Sequence, residues 1–266
     1  MLASVQTKTL YDQRRSLIAW SLGLVGLVAM YAAIWPSIRD QPTFNDYLDQ
    51  LPDALRSLFA ASGADLSTPV GYVKVELLSL MAPLLLIIYS ITAGAAAVAG
   101  EEDRRTLELL LANPVSRSRI VLGKLAALGT GVALLGLVTA VALVVAGPAA
   151  GMSLPVGGVV ATMVHMTLLA LVFGTLALTV GAGTGRTGLS RAVPAVIAAL
   201  AYIVNGLAPV VSWLRPAQRL SPFYQYAGHD PLRHGLYLPA VIVAVLSILV
   251  LATLAIVSFG RRDITA

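Results

Sequence analysis

Few side chains in this sequence could do acid–base or metal chemistry. The three histidines are His165, His229 and His234, and none lies in the H-E-x-x-H spacing that binds zinc on a helix. His229 and His234 have only Asp230 between them, which is a poor metal-ligand set without further donors. The chain has no cysteine, so disulfides, thiolate metal sites and cysteine nucleophiles are excluded.

Serine and phosphate chemistry are equally poorly supported. A nucleophilic serine needs a base within hydrogen-bonding reach, but Ser190 is expected at the inner mouth of an apolar span and His165 near the middle of another. The run from Gly181 to Gly188 resembles a phosphate-binding loop only superficially, because no lysine stands in register and a span precedes it rather than a strand. We predict that this run is a flexible inner turn. We expect no catalytic, cofactor or metal site here, and no ATP hydrolysis by this chain alone.

Two polar side chains fall inside the long apolar runs, namely His165 in the fourth and Asn205 in the fifth. Polar groups inside a membrane are costly unless partnered, so both are candidates for a translocation path. The alternative for His165 is a neutral imidazole that is hydrogen-bonded across a helix interface. No Asp, Glu, Lys or Arg lies near the middle of a predicted span, which argues against an ion-coupled carrier.

The composition places these residues in a membrane protein. The 266 residues are 58% hydrophobic and 12% charged, with a mean hydropathy of +0.83, whereas soluble domains carry about 25% charged residues. The net charge of +5 is distributed between apolar runs rather than along one stripe, which excludes a nucleic-acid-binding surface.

Six apolar runs are long enough to cross a bilayer as helices, since about 20 helical residues span its hydrocarbon core. The predicted spans are Ser16–Trp35, Leu77–Gly100, Leu125–Gly147, Gly158–Ala182, Ala192–Val211 and Leu236–Phe259. The fifth span is the least regular, because Pro194, Asn205, Gly206 and Pro209 interrupt it. The predicted fold is a single all-α integral membrane domain covering residues 1–266.

The basic residues predict the orientation of these spans. Twelve Lys and Arg residues lie in the segments on the same side as the N-terminus, and six lie on the opposite side. Positive charge is retained in the cytoplasm, so both termini are predicted to be cytoplasmic. Residues 1–15 are moderately amphipathic, and we consider them either an interfacial helix that precedes the turn into the bilayer or a frayed tail.

The predicted outer segment, residues 36–76, is long and has its own helical signals. Thr43 and Asp46 form a capping pair, and apolar residues then recur at helical spacing from Phe44 to Phe59. Pro52 lies within this run and predicts a kink or two short helices. A surface helix packed on the membrane domain is the favoured interpretation, and a substrate gate is the alternative. The second long outer segment comprises residues 212–235.

The most informative segment is the predicted inner loop, residues 101–124. Acidic residues crowd its start, as suits a helix N-terminus. Leu107, Leu110 and Leu111 share one face of a short helix that ends at Pro114, and Ser116 can cap the next helix. This pattern predicts an amphipathic helix parallel to the inner membrane surface, which is either a docking element or an interfacial brace.

This inner loop resembles the signature of ABC-2-type exporter permeases, particularly the branch that contains the permease of the nitrous-oxide-reductase maturation system. The resemblance rests on an ordered set of short motifs: Thr106-Leu107-Glu108, Leu109 to Leu111, Pro114-Val115-Ser116-Arg117 and Gly123-Lys124. The family usually has glycine where this chain has Arg105, so the bend before the helix is expected to differ. The segment from Leu220 to Gly235 is similar to the loop before the family's last span.

The resemblance implies a half-transporter of the type V exporter-like fold, located in the cell (inner or plasma) membrane. Two permeases, identical or homologous, would pair, and two cytoplasmic ABC ATPase subunits would supply the ATP and Mg chemistry. The inner-loop helix would be the coupling helix that docks on the ATPase. The implied docking residues are Glu102, Arg104, Arg105, Thr106, Leu107, Leu110, Leu111, Pro114 and Arg117. A largely apolar path would suit hydrophobic or amphipathic cargo.

Two other functions are compatible with the sequence. One is a small secondary carrier or channel that is not driven by ATP. The other is a membrane-embedded enzyme that uses His165 or Ser190.

Overall fold

The computed structural model describes residues 2–39, 41, 50–58, 65–106 and 116–262, and within these ranges the chain contains helices and no strand. Six helices are long and apolar enough to cross a membrane. They are α1 (Leu2–Ile38), α3 (Pro69–Ala97), α5 (Arg117–Ala149), α6 (Val156–Thr184), α7 (Thr187–Leu207) and α11 (Leu238–Arg261). The shorter helices are α2 (Asp53–Leu58), α4 (Ala99–Asp103), α8 (Arg215–Gln218), α9 (Pro222–Ala227) and α10 (Pro231–His234).

All six predicted spans are therefore present as helices, but several extend further than the apolar runs. With 29 residues each, α3 and α6 are about 44 Å long, against a hydrocarbon core of about 30 Å. They must tilt or project into the headgroup region. Within α3, Val73–Met81 is wound as a π-helix, and the α-helix resumes at Ala82, just before Pro83.

Helix α6 is the centre of the bundle and packs against α3, α5, α7 and α11. Its contact with α3 is close enough to require glycine. A methyl group on Gly94 would lie 2.1 Å from the carbonyl oxygen of Gly174, and one on Gly174 would lie 2.0 Å from Ser90 Oγ. Small residues at such a crossing let the helices pack tightly in lipid, where apolar burial gives little driving force.

The N-terminal segment differs from both interpretations of residues 1–15. Helix α1 runs unbroken from Leu2 through the first span, so no turn separates an interfacial piece from the span. Val5 and Thr9 are buried, and Gln6 Nε2 donates to Thr130 Oγ1 at 3.0 Å. The polar beginning of α1 is helical because it packs on α5.

Parts of the segment 36–76 lie within the described residues. Helix α2 begins directly after Pro52, and its end is tied to α7, because Tyr202 Oη donates to the carbonyl oxygen of Leu58 at 2.7 Å. The predicted cap at Thr43 and Asp46 lies outside the described residues. Helix α7 passes Pro194 without a break and ends at Leu207, four residues before the predicted end.

Candidate functional site

The candidate docking segment lies at one end of the bundle, which we call the loop end. There the chain leaves α3, forms α4 and returns as α5. The predicted docking residues Leu107, Leu110, Leu111 and Pro114 lie outside the described residues, which stop at Thr106 and resume at Ser116. The structure therefore shows the two flanks of the docking segment, residues 107–115, and what holds them.

The acidic run occupies a helix of its own. Helix α3 ends at Ala97, Val98 breaks the helical path with φ −119°, and Glu101, Glu102 and Asp103 lie in α4. The sequence pattern placed these acidic residues at a helix N-terminus, and Glu101 and Glu102 do lie in the first turn of α4. A turn at Arg104 and Arg105 follows α4, and the predicted leucine-faced helix lies outside the described residues.

The turn that closes α4 depends on a left-handed residue. Arg105 has φ +57°, and the amide of Thr106 then reaches back to the carbonyl oxygen of Glu101 at 2.9 Å. Left-handed backbone is costly for a residue with a Cβ and is the usual conformation of glycine at a helix end. The chain thus adopts a glycine-type bend with an arginine in place, although the sequence comparison predicted a different bend.

Glu101 forms a buried ion pair with Lys124, near the start of α5. Lys124 Nζ lies 2.6 Å from Glu101 Oε1, and the two side chains are only 5% and 10% exposed. Thr106 Oγ1 donates to the other carboxylate oxygen, Oε2. Burial alone would raise the pKa of Glu101, but the hydrogen bonds from Lys124 and Thr106 and the charges of Lys124 and Arg104 outweigh it and lower the pKa.

Glu102 pairs with Arg262, the residue that follows α11. Arg262 Nη1 also donates to the carbonyl oxygens of Gly181 at 3.4 Å and Ala182 at 3.2 Å, in the last turns of α6. One guanidinium therefore joins α4 to the ends of two spanning helices. A cation here also complements the partial negative charge of the α6 C-terminus.

The glycine run from Gly181 to Gly188 accommodates this pair. Gly185 ends α6 with φ +66°, and a methyl group on it would lie 2.6 Å from Arg262 Nη2 and 2.7 Å from Glu102 Oε2. Only glycine fits both this conformation and this space. Gly185 and Arg186 form the turn between α6 and α7, where the sequence predicted an inner turn, and the rest of the run lies in the ends of these two helices.

Two further contacts complete the loop end. Asp103 accepts a hydrogen bond from Thr187 Oγ1 at the start of α7. Arg117, at the start of α5, donates to the carbonyl oxygens of Phe259 at 3.1 Å and of Arg262 at 2.7 Å. The three acidic residues of α4 thus contact three different elements. Arg117 binds the free carbonyl groups at the C-terminal end of α11.

The charged residues that the sequence assigned to docking fall into two groups. Glu102 and Arg117 have partners within the chain, whereas the side chains of Arg104 and Arg105 are exposed beside the docking segment. The sequence reasoning missed Glu101, Asp103, Lys124 and Arg262. The available signal was Lys124, which directly precedes the predicted third span, since a buried cation requires a nearby carboxylate.

His165 and Asn205, the two path candidates, do not lie together. His165 is buried about 14 Å along α6 from its start, and its Nε2 accepts the backbone N–H of Tyr237 at 3.2 Å. His165 therefore lies closer to the N-terminal end of α6, opposite the loop end, than the predicted mid-span position. Its hydrogen bond crosses the interface between α6 and the start of α11. Asn205 lies in the last turn of α7, where its backbone carbonyl oxygen accepts a hydrogen bond from Gln218 Nε2. Its place in a path stays a prediction.

Ser190 lies far from His165. Its hydroxyl donates to the carbonyl oxygen of Ala177, twelve residues from His165 along α6, which corresponds to about 18 Å. No group of three or more His, Asp or Glu side chains that could hold a metal ion occurs among the described residues. The most elaborate polar arrangement in the described chain is thus a set of ties between helix ends.

A cavity of about 310 Å³ lies between α3 and α7. Its walls are formed by Leu80, Leu84, Ile87, Ile88, Ile91, Ala195, Ala198, Ala199, Tyr202, Ile203 and Phe223. Apart from the Tyr202 hydroxyl these side chains are wholly apolar, so the cavity suits an apolar occupant rather than an ion.

Comparison with known families gives one match over nearly the whole chain. The sequence model of a family described as "ABC-2 family transporter protein" matches residues 3–264. Comparison with curated proteins gives no significant match.

Proposed function

The chain belongs to the ABC-2 transporter family, and from that premise we propose that it is the permease subunit of an exporter driven by a separate cytoplasmic ATPase. The observation that carries the proposal is the family match from residue 3 to residue 264. The six long apolar helices agree with it. Members of this family are membrane components of transporters, so we assign ATP hydrolysis to the separate ATPase subunit.

We assign the docking role to residues 107–115. The Glu101–Lys124 and Thr106–Glu101 contacts fix the N-terminal flank, and the contacts of Arg117 with the end of α11 fix the C-terminal flank. A segment fixed at both ends can transmit a displacement instead of absorbing it. Arg104 and Arg105, which are exposed at the N-terminal flank, would contact acidic side chains on the ATPase.

The orientation that docking requires is the one that the basic residues favour. The loop end would face the cytoplasm, with α2 and α8 to α10 at the outer surface. Both termini would then be cytoplasmic. The protein would lie in the cell membrane, where cytoplasmic ATPases reach the loop end.

A second permease copy, identical or homologous, would complete the transport path. Helices α7 and α11 expose rows of apolar side chains to lipid or to such a copy: Val193, Val196, Ile197, Leu200 and Ile203 on α7, and Ile242, Leu246, Leu249, Val250 and Leu254 on α11. The apolar cavity between α3 and α7 supports hydrophobic or amphipathic cargo. We place the path on the α3–α7 side of the bundle for this reason.

The test uses two substitutions in the docking segment. Leu110→Asp puts a charge on the leucine face, and Leu109→Asp puts the same charge on the opposite side of a helix with about 100° per residue. We expect Leu110→Asp to abolish co-purification of the ATPase and Leu109→Asp to preserve it, with normal membrane insertion of both. Equal co-purification by the two variants would remove the docking role from this face.

A further inference from the structure

We propose that Arg262 and Glu102, together with Arg117, form a coupling latch that ties both flanks of the docking segment to the ends of α6 and α11. Displacement of the docking segment by the ATPase would then move these two helices together. The inference rests on the proposed function, because it supplies the route from the docking segment to the membrane helices.

The N-terminal flank is linked to the latch through α4. This helix is separated from α3 by the break at Val98, so it is a distinct element between α3 and the docking segment. Thr106, the last described residue before the docking segment, is bonded to Glu101 through its backbone and its side chain. A pull on residue 107 therefore acts on α4, and Glu102 passes it to Arg262.

The C-terminal flank reaches the same place by a different contact. Arg117 lies two residues after the docking segment and binds the carbonyl oxygens of Phe259, Gly260 and Arg262. Both flanks thus meet at residues 259–262. A displacement of the docking segment cannot leave the end of α11 in place unless one of these contacts breaks.

Arg262 extends the connection to α6 through the carbonyl oxygens of Gly181 and Ala182. Helix α6 is the central helix, and at its opposite end it touches α10. A methyl group on Gly158 would lie 2.0 Å from the carbonyl oxygen of Leu232. Movement of α6 at the loop end would therefore also displace α10 at the opposite end of the bundle.

The two ion pairs of α4 have different environments and different roles. The Lys124 and Glu101 side chains are 5% and 10% exposed, which suits a fixed pivot. The Arg262 and Glu102 side chains are 17% and 32% exposed, so water can replace their contact. The pair that can open and close is the one that joins α4 to α6 and α11.

The experiment is hydrogen–deuterium exchange of the permease–ATPase complex in lipid nanodiscs, with and without ATP and vanadate. The variants are Glu102→Gln, which keeps the shape of the side chain, and Arg262→Gln. The matched control is Arg261→Gln, which removes the same charge from an exposed neighbour. Wild type and the control should show nucleotide-dependent changes at residues 107–115, 178–185 and 255–262. Both latch variants should keep the change at 107–115 and lose most of it at 178–185, while Arg117 keeps part of the change at 255–262.

The possible failures can be told apart. If both variants keep the ATPase and still show the full nucleotide-dependent change at 178–185, the latch is wrong and the proposed function stands. If the wild-type chain binds no ATPase, the proposed function fails and the latch fails with it. Arg262→Lys gives an independent check, because it restores the charge opposite Glu102 and should recover part of the lost change.

Discussion

The buried pair between Glu101 and Lys124 gives the sharpest prediction about stability. In Lys124→Met the aliphatic stem is retained and the ammonium group is removed, so Glu101 keeps only Thr106 as a side-chain partner at a position that is 10% exposed. Breaking a buried pair by removing one member costs about 3–5 kcal/mol. Because Glu101 can take up a proton instead, we expect a loss at the low end, about 3 kcal/mol.

A double-mutant cycle separates the pair from the rest of the site. In Glu101→Gln the amide oxygen can still accept from Lys124, and we expect a loss of about 2 kcal/mol. The double variant leaves no buried charge, so it should be no less stable than Lys124→Met. The magnitude of the interaction free energy between the two positions is then at least about 2 kcal/mol.

The assay is reversible unfolding in mixed micelles of increasing SDS content, followed by the fluorescence of the three tryptophans. The control is Arg119→Met, which removes an exposed cation from the same end of α5. If Lys124→Met were as stable as this control, or if the two single effects simply added in the double variant, the ion pair would not hold the loop end together.

Three further predictions concern the same end of the bundle. Because folding lowers the pKa of Glu101, its carboxylate stabilises the folded state fully above the unfolded-state pKa. This contribution is lost as the pH falls through the folded-state pKa. Glu101→Gln should therefore remove this part of the pH dependence of the unfolding free energy. Arg105→Gly should stabilise the permease by up to about 1 kcal/mol, because glycine adopts φ +57° without a Cβ clash, while Arg105→Ala should not; equal SDS midpoints for the two would show that this turn carries no strain. Ala112→Cys, a single thiol in a chain without cysteine, should react with an impermeant maleimide in inside-out vesicles only; reaction in right-side-out vesicles would reverse the orientation.

The six spanning helices could be predicted because hydropathy alone decides where a helix can cross lipid. Their ends could not, since packing decides them. The start of α1 is polar and still helical because Val5 and Thr9 are buried against the protein. Helix α3 likewise begins eight residues before the predicted start, where Thr68 caps it by accepting the amide of Gly71.

The docking role of the inner loop stays a prediction, because residues 107–115 lie outside the described residues. Arg104 and Arg105, on its N-terminal flank, are exposed. The partners of the acidic run could not be predicted, because Glu101, Asp103 and Glu102 pair with residues 23, 84 and 160 positions away. Local spacing favours a helix-start interpretation of such a run, and only the fold brings these partners together.

His165 illustrates the same limit. A histidine inside an apolar run is equally compatible with a role in a transport path and with burial at a helix interface, because both roles require a polar partner. Its partner here is the backbone amide of Tyr237, 72 positions away, at the start of α11. Nothing in the local sequence distinguishes a backbone partner from a transported one.

The most direct test of the central claim is the native mass of the complex that the 27.7 kDa chain forms when it is solubilised gently from its own membranes. The proposed function predicts two permease chains together with two P-loop ATPase chains, and ATP hydrolysis by the assembly. A chain that leaves the membrane without any nucleotide-binding subunit, and that transports in liposomes on an ion gradient without ATP, would contradict it.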